Sequence, residues 1–154
     1  MVSWIKDKNA LVKLTQRLAN KKTLFLDTEF MRSHTFYPKL ALIQIFNGEH
    51  CWLIDAPSIN DLTPLKRLLE NPKCTLVLHA CAEDLEVLRY SAQIFPNCIF
   101  DTQIAARITN IGYSTSYAGL LESLTDIRLT KSVTRSNWLA RPLSAAQLKY
   151  AEDD

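Results

Sequence analysis

The chain contains 154 residues, of which 47% are apolar, and this is enough for one domain with a buried core. Its formal net charge of +2 allows a polyanionic partner without requiring one. No apolar run is long enough to cross a membrane, the N-terminus has no leader-like segment, and the four cysteines lack metal-site spacing. These features argue against a membrane partner and favour a cytoplasmic protein with reduced thiols.

The first half of the chain predicts one helix and a set of antiparallel strands. Leucines at helical spacing indicate the helix, and apolar runs indicate the strands. Asn47-Gly48, a strong hairpin signal, separates the last two strands of a three-strand meander. The predicted elements are an edge strand at 2–5, a helix at 7–18, and strands at 23–30, 40–46 and 51–54.

Helices and strands alternate in the second half. Thr63 is expected to cap a helix with Pro64 at its first position, and Asp84 to open another. Ser144 and Gln147 form a predicted capping box at the start of the last helix. Strands are expected at 74–78 and 98–100, and helices after 101 and at 117–124. The whole pattern predicts an α/β fold with a mixed sheet of about five strands between helices.

Two carboxylates lie at the end of the first core strand. Because side chains alternate along a strand, Asp27 and Glu29 point to the same side. Taken alone, Asp-Thr-Glu is also compatible with an ordinary acidic turn. Asp84 and Asp154 are expected at the same edge of the sheet. Four carboxylates there can hold two divalent ions, Mg²⁺ or Mn²⁺, about 3.5–4 Å apart.

Tyr150 and Asp154 are four residues apart on the last helix and therefore share one face. The tyrosine hydroxyl is well placed to orient an attacking water. A phenol of ordinary pKa, about 10, is a poor base at neutral pH, so we expect orientation rather than proton abstraction.

These residues together resemble the three motifs of the DEDD exonuclease superfamily. Asp27-Thr-Glu29, His79 with Asp84, and Tyr150-x-x-x-Asp154 match its motifs, and the tyrosine is typical of the DEDDy branch. The segments around them are similar to ribonuclease D. The similar segments are 26–32, 37–44, 78–86, 101–103 and 138–143, and the resemblance covers nearly the whole chain.

The resemblance implies a ribonuclease H-like fold and two Mg²⁺ or Mn²⁺ ions. It also implies a 3′→5′ exoribonuclease that releases 5′-nucleotides during maturation of tRNA and other stable RNA. Carried over by position, the catalytic residues are Asp27, Glu29, Asp84, Tyr150 and Asp154, of which the four carboxylates are the metal ligands. We expect a monomer that binds RNA.

The chain departs from the family in three places. Asn137 stands where the family usually has aspartate, and Asp126 stands at a turn where glycine is common. The sequence ends at Asp154, whereas family members continue the helix and usually add helical HRDC domains. Residues 1–154 are therefore expected to be a single catalytic domain and a fragment of a longer protein. In this fragment we expect Asp154 to be poorly fixed and the activity to be weak. Extension past Asp154 is expected to raise Mn²⁺ affinity and nuclease rate.

Several residues are candidates for contacts with the nucleic acid. Phe30 and Met31 follow the first motif and could stack on the terminal base, although core packing is an equal alternative for Phe30. No acidic residue occurs from 127 to 151, and Lys131, Arg135 and Arg141 in this window are candidates for backbone phosphates. A solvated basic loop is the alternative.

Two other functions remain open from the residues alone. One is a 3′→5′ exonuclease that acts on DNA, since nothing in the sequence clearly recognises a 2′-hydroxyl. The other is a non-catalytic nucleic-acid-binding module. His79 is expected to orient the turn into the Asp84 helix rather than to act as a base or a zinc ligand.

Overall fold

The computed structural model describes residues 2–32, 35–129 and 136–153. Within these ranges the strands are β1 (Val2–Ile5), β2 (Thr23–Met31), β3 (Lys39–Phe46), β4 (Cys51–Ile54), β5 (Thr75–Leu78) and β6 (Ile99–Asp101). The α-helices are α1 (Lys8–Leu18), α2 (Thr63–Leu69), α3 (Ala82–Ala92), α4 (Thr102–Ile108), α5 (Tyr117–Leu124) and α6 (Ala145–Asp153). None of these helices has the length and apolar character needed to cross a membrane.

All six strands belong to one mixed sheet in the order β1-β4-β3-β2-β5-β6. The strands β2, β3 and β4 form the expected antiparallel meander, while β1 pairs parallel to β4 and β5 and β6 follow parallel to β2. The α/β fold is therefore confirmed. The sheet has six strands rather than about five because the short N-terminal strand joins it at the edge.

Helices cover both faces of the sheet and create two cores. On one face, leucines of α1, α2 and α3 pack against β2, β3 and β5, and Leu11, Leu18, Leu65 and Leu88 are fully buried there. On the other face, Trp138, Leu143 and Ala151 pack against Leu42 and Leu53. The second face also carries Asp27 and Glu29, so α6 is packed next to the predicted site.

The helix starts show which local signals determine the fold. The Asp7 side chain accepts from the amide of Ala10 (2.9 Å) and caps α1. The capping box of α6 is confirmed, since the Ser144 amide donates to Gln147 Oε1 (2.9 Å) and the Gln147 amide to Ser144 Oγ (3.2 Å). The capping role expected for Thr63 is wrong. Asp61 accepts from the Thr63 amide instead (2.9 Å), and Thr63 is the first helical residue.

The pairing of β2 with β3 contains a bulge at Ala41. Glu29 lies opposite Leu42 but Phe30 lies opposite Leu40, so Ala41 has no partner in β2. The bulge comes directly beside the carboxylate-bearing part of β2, a common place for such irregularities. The Ala41 carbonyl accepts a hydrogen bond from Arg141 Nη2 (2.9 Å).

Candidate active site

The strand β2 extends beyond its pairing with β5, and this extension carries the first two carboxylates. The pairing of β2 with β5 ends at Phe25 opposite Val77, two residues before Asp27. Asp27 and Glu29 therefore have β3 on one side, where Gln44 and Leu42 lie opposite them. Gln44 Nε2 donates to Asp27 Oδ2 at 3.4 Å.

Asp84, in the first turn of α3, is held against β2. Its Oδ1 accepts from Thr28 Oγ1 at 2.5 Å, and the backbone amide of Thr28 also donates to this carboxylate. Thr28 is the residue between Asp27 and Glu29, so the three acidic residues come from one short stretch of strand and one adjacent helix start. Burial raises the pKa of Asp84 to about 6, although the hydrogen bonds from Thr28 oppose this increase.

Asp101 determines where α3 begins. Its carboxylate accepts from the backbone amides of Ala80 (3.1 Å) and Cys81 (2.9 Å), directly before α3. The same carboxylate caps α4 through the amides of Gln103 (2.8 Å) and Ile104 (3.3 Å). Burial alone would raise the pKa of Asp101, but the amide hydrogen bonds prevail and lower it to about 2. Asp101 is thus a structural support for the turn that places Asp84.

We expect Asp101→Ala to lower the free energy of unfolding by about 2 kcal/mol, since a helix cap and the acceptor of two turn amides are lost. Because the folded pKa lies below the ordinary value, this stabilisation is present above pH ~4 and disappears as the pH falls toward 2. Urea unfolding at pH 7 and pH 3 measures both effects. Asp101→Asn keeps one acceptor and should recover part of the loss; equal stability of all three proteins at pH 7 would contradict this role.

Tyr150 and Met31 lie on the α6 side of the sheet. Tyr150 is half-buried, its ring centroid is 5.8 Å from that of Trp138, and both Tyr150 and Met31 pack against the second core. Phe30 instead packs against the first core. The contacts of Phe30 therefore favour its core-packing alternative, whereas Met31 stays a candidate for base stacking.

Three predicted site residues lie outside the described residues: Asp154, Lys131 and Arg135. Among the described residues, no three His, Cys, Asp or Glu side chains are close enough to hold one metal ion. The fourth carboxylate of the predicted set, Asp154, is not among the described residues.

Arg141 is a structural residue in the described part of the chain. Its Nε and Nη2 donate to Asp55 Oδ1 (3.0 and 2.6 Å), and Nη2 also donates to the Ala41 carbonyl. Its Nη1 donates to the carbonyls of Trp138 (2.7 Å) and Ala140 (2.8 Å). Asp55 is only 2% exposed. Because these bonds occupy the guanidinium, the expectation that Arg141 contacts a backbone phosphate loses its basis.

A cavity of about 620 Å³ opens beside Asp27 on the same face of the sheet. Asp27 and Gln44 line it together with Phe25, Phe46 and residues 151–153 of α6. Phe25 and Phe46 are opposite each other in the ladder, with ring centroids 5.9 Å apart, and both are exposed. The cavity is therefore an open groove with an aromatic floor that leads to the carboxylates.

His79 lines the far side of this groove and fixes its wall. Its Nδ1 lies 2.9 Å from Thr102 Oγ1 and its Nε2 lies 3.0 Å from the Thr115 carbonyl. Burial and, to a lesser extent, the hydrogen bond and negative charge of Asp101 raise the pKa of the nearby Cys81 thiol to about 12. A thiol that stays protonated is a poor metal ligand, so these contacts support a structural role for His79 and give no support to a zinc site.

The donor chemistry of the site fits a hard divalent cation. Asp27, Glu29 and Asp84 offer only oxygen ligands, which suit Mg²⁺ or Mn²⁺ and not a soft metal. The raised pKa of Asp84 shows that its ionised form is disfavoured by burial, and a bound cation would offset that cost. The Gln44 Oε1 atom is buried and has no hydrogen-bond partner among the described residues.

The sheet, its helices and the carboxylate-bearing strand define a class of enzyme domains. The chain belongs to the 3′–5′ exonuclease family, which it matches over residues 2–154. Members of this family generally depend on divalent metal ions.

Within this class the chain is similar to ribonuclease D. It is 43% identical to ribonuclease D of Pseudomonas paraeruginosa over 153 residues, 99% of this chain and 41% of that protein. It is 42% identical to ribonuclease D of Escherichia coli over 146 residues, 95% of this chain and 39% of that protein. The resemblance inferred from the motifs is confirmed. The chain spans about two fifths of the length of these relatives.

Solved structures agree with this relationship. The crystal structure of Escherichia coli RNase D, described as an exoribonuclease involved in structured RNA processing, superimposes with a TM-score of 0.95 at 41% identity. The match covers all of this chain and 41% of the RNase D chain. The catalytic core of RRP6 from Trypanosoma brucei superimposes with a TM-score of 0.89 at 20% identity, and the match covers 98% of this chain and 42% of the RRP6 chain. At this low identity the match supports the fold alone. The ribonuclease H-like fold is thereby confirmed.

Proposed function

We propose that residues 1–154 form the catalytic domain of a metal-dependent 3′→5′ exoribonuclease. The observation that carries the proposal is the position of the three described acidic residues. Asp27 and Glu29 lie on one stretch of β2, and Asp84 is bonded to Thr28 between them. In the proposed site Asp154 is the fourth carboxylate, and the set holds two divalent ions, Mg²⁺ or Mn²⁺.

The chain's own residues would position the reacting groups. Bound divalent ions supply the chemistry of water activation and of charge stabilisation at the leaving oxygen. Asp27, Glu29 and Asp84 would bind these ions, and Tyr150 would orient the attacking water through its hydroxyl. Met31, which packs against the same core as Tyr150, would contact the terminal base. The groove above Phe25 and Phe46 would give the RNA strand access to the carboxylates.

We propose RNA as the substrate, including tRNA precursors and other stable RNA with 3′ extensions, and a monomeric cytoplasmic protein. The substrate class follows from the similarity to ribonuclease D over nearly the whole chain. Lys131 and Arg135 are retained as proposed phosphate contacts. Arg141 is not, because its guanidinium is bound within the protein.

With 5′-labelled single-stranded RNA and Mn²⁺, we expect stepwise shortening from the 3′ end and release of 5′-mononucleotides. EDTA should abolish the reaction, since the carboxylates alone cannot activate water. Asp27→Asn should reduce the rate at least ~100-fold, because replacement of a residue that only supports a metal ligand already lowers activity by about 10–100-fold. Product sizes on a denaturing gel measure both effects.

The same assay separates the alternative functions. Faster shortening of a DNA oligonucleotide of the same sequence would make the domain a DNA exonuclease. Retention of RNA in a filter-binding assay without any shortening would indicate a non-catalytic binding module.

A further inference from the structure

Gln44 is an anomaly in its own strand. The strand β3 has the sequence Lys-Leu-Ala-Leu-Ile-Gln-Ile-Phe, and its residues 40–45 are all buried. Gln44 is the only polar side chain among these six, and it is 5% exposed. A buried amide destabilises a protein unless both of its ends are hydrogen-bonded. The presence of Gln44 in the middle of a buried apolar strand therefore needs a reason.

Only one end of the Gln44 amide is bonded within the described residues. Nε2 donates to Asp27 Oδ2 at 3.4 Å, the long end of the hydrogen-bond range. Oε1 is buried and has no partner in the described part of the chain. Gln44 lines the same groove as Asp27, directly across the ladder. The unbonded oxygen thus belongs to a side chain whose other end already contacts a proposed metal ligand.

We propose that Gln44 is a positioning residue for Asp27 that is kept for metal binding at the expense of stability. This inference rests on the proposed function, whose metal site it deepens. The amide nitrogen holds one carboxylate oxygen of Asp27 and thereby fixes the orientation of this proposed ligand. The carbonyl oxygen provides an acceptor for an O–H donor inside the groove. Such partners of metal ligands fix ligand orientation and tune metal affinity.

This role makes a prediction that distinguishes it from structural packing. If Gln44 only filled space and held β2 to β3, its replacement would lower stability. If it is kept for the site, an apolar residue of the same size should fit β3 at least as well, because a partly unbonded buried amide is removed. Loss of the amide should then appear in metal affinity and not in folding.

The test uses Gln44→Met, which keeps the side-chain length, and Gln44→Leu, which changes its shape. Without metal and with EDTA, we expect both variants to have a melting temperature equal to or above that of the parent. By calorimetry we expect their Mn²⁺ affinity to fall by about 10–100-fold, the range measured for such supporting residues. Thr15→Val, which removes a buried hydroxyl in the remote helix α1, serves as the matched control and should bind Mn²⁺ like the parent.

Parallel titrations separate this inference from the proposed function. If the parent binds Mn²⁺, Asp27→Asn does not, and both Gln44 variants bind like the parent, the positioning role is overturned while the metal site stands. If both Gln44 variants melt well below the parent without metal, Gln44 is a packing residue and the inference is also overturned. If neither the parent nor Asp27→Asn binds Mn²⁺, and a chain extended past Asp154 does not bind it either, the metal site itself fails, and the proposed function fails with it.

Discussion

Asp84→Asn is expected to eliminate nuclease activity and, at the same time, to stabilise the metal-free protein at neutral pH. The carboxylate is 7% exposed and is held by the Thr28 hydroxyl at 2.5 Å. Burial raises its pKa from 3.8 to about 6. This difference of about 2 pH units corresponds to roughly 3 kcal/mol, the free energy by which the ionised carboxylate destabilises the fold.

The pH dependence gives the sign of the effect. The folded protein binds this proton more tightly than the unfolded chain, so the contribution of Asp84 makes unfolding easier as the pH rises from about 4 to about 6. Above pH ~6 the destabilisation is complete, and an asparagine, which never ionises, avoids it. Urea unfolding in EDTA at pH 5 and pH 7.5 should therefore show a larger advantage of the variant at pH 7.5.

Glu83→Gln is the matched control for this experiment. Glu83 precedes Asp84 in the same helical turn, but its side chain is 70% exposed. Its replacement should change neither the free energy of unfolding nor the Mn²⁺-dependent RNA degradation noticeably. If Asp84→Asn retained activity in Mn²⁺, its role as a ligand would be refuted; a variant less stable than the parent at pH 7.5 would refute the burial argument.

Arg141→Ala should lower the free energy of unfolding by about 3–5 kcal/mol, the range measured when one partner of a buried ion pair is removed. Asp55 would be left nearly inaccessible to water without its cation, and the carbonyls of Ala41 and Trp138 would lose a donor. For a domain of this size, such a loss corresponds to a decrease in melting temperature of roughly 10 °C or more. Thermal and urea unfolding measure it.

Two further variants show whether the forked geometry of Arg141 matters. Arg141→Lys keeps the charge but cannot reach Asp55 and the carbonyls together, and we expect an intermediate stability. Arg128→Ala removes an arginine that is 82% exposed and paired with Glu122, where the expected loss is at most about 1 kcal/mol. If Arg141→Ala weakened RNA binding but left stability unchanged, the original expectation of a phosphate contact would be reinstated.

The features that could be predicted from the sequence are those in which the signal is local. The alternation that puts Asp27 and Glu29 on one side needs three residues, Asn47-Gly48 specifies a hairpin by itself, and the capping box needs only Ser144 and Gln147. The strand Cys51–Ile54 and the helix Tyr117–Leu124 have the predicted bounds for the same reason.

The supporting contacts of the site could not be predicted, because they join distant parts of the chain. Thr28 reaches Asp84 across 56 positions, Asp101 reaches the Cys81 amide across 20, and Arg141 reaches Asp55 across 86. A basic residue in a basic segment is compatible with phosphate binding and with an internal ion pair alike, so the sequence does not reveal the contact of Arg141 with Asp55. Gln44 did leave a signal, a single amide within an apolar strand, but its meaning depends on the register that brings it opposite Asp27.

The bulge at Ala41 connects β3 to the segment that contains Arg141. Leu42 and Gln44 share the face of Glu29 and Asp27, while Leu40 faces the first core with Phe30. Without Ala41 the ladder would be regular, and Leu40 would still lie opposite Phe30 and Leu42 opposite Glu29, so the two faces do not depend on the extra residue. The extra residue instead provides a backbone carbonyl to which Arg141 Nη2 donates. We therefore expect deletion of Ala41 to preserve the faces of β3 and to weaken the attachment of the Arg141 segment to the strand opposite the carboxylates.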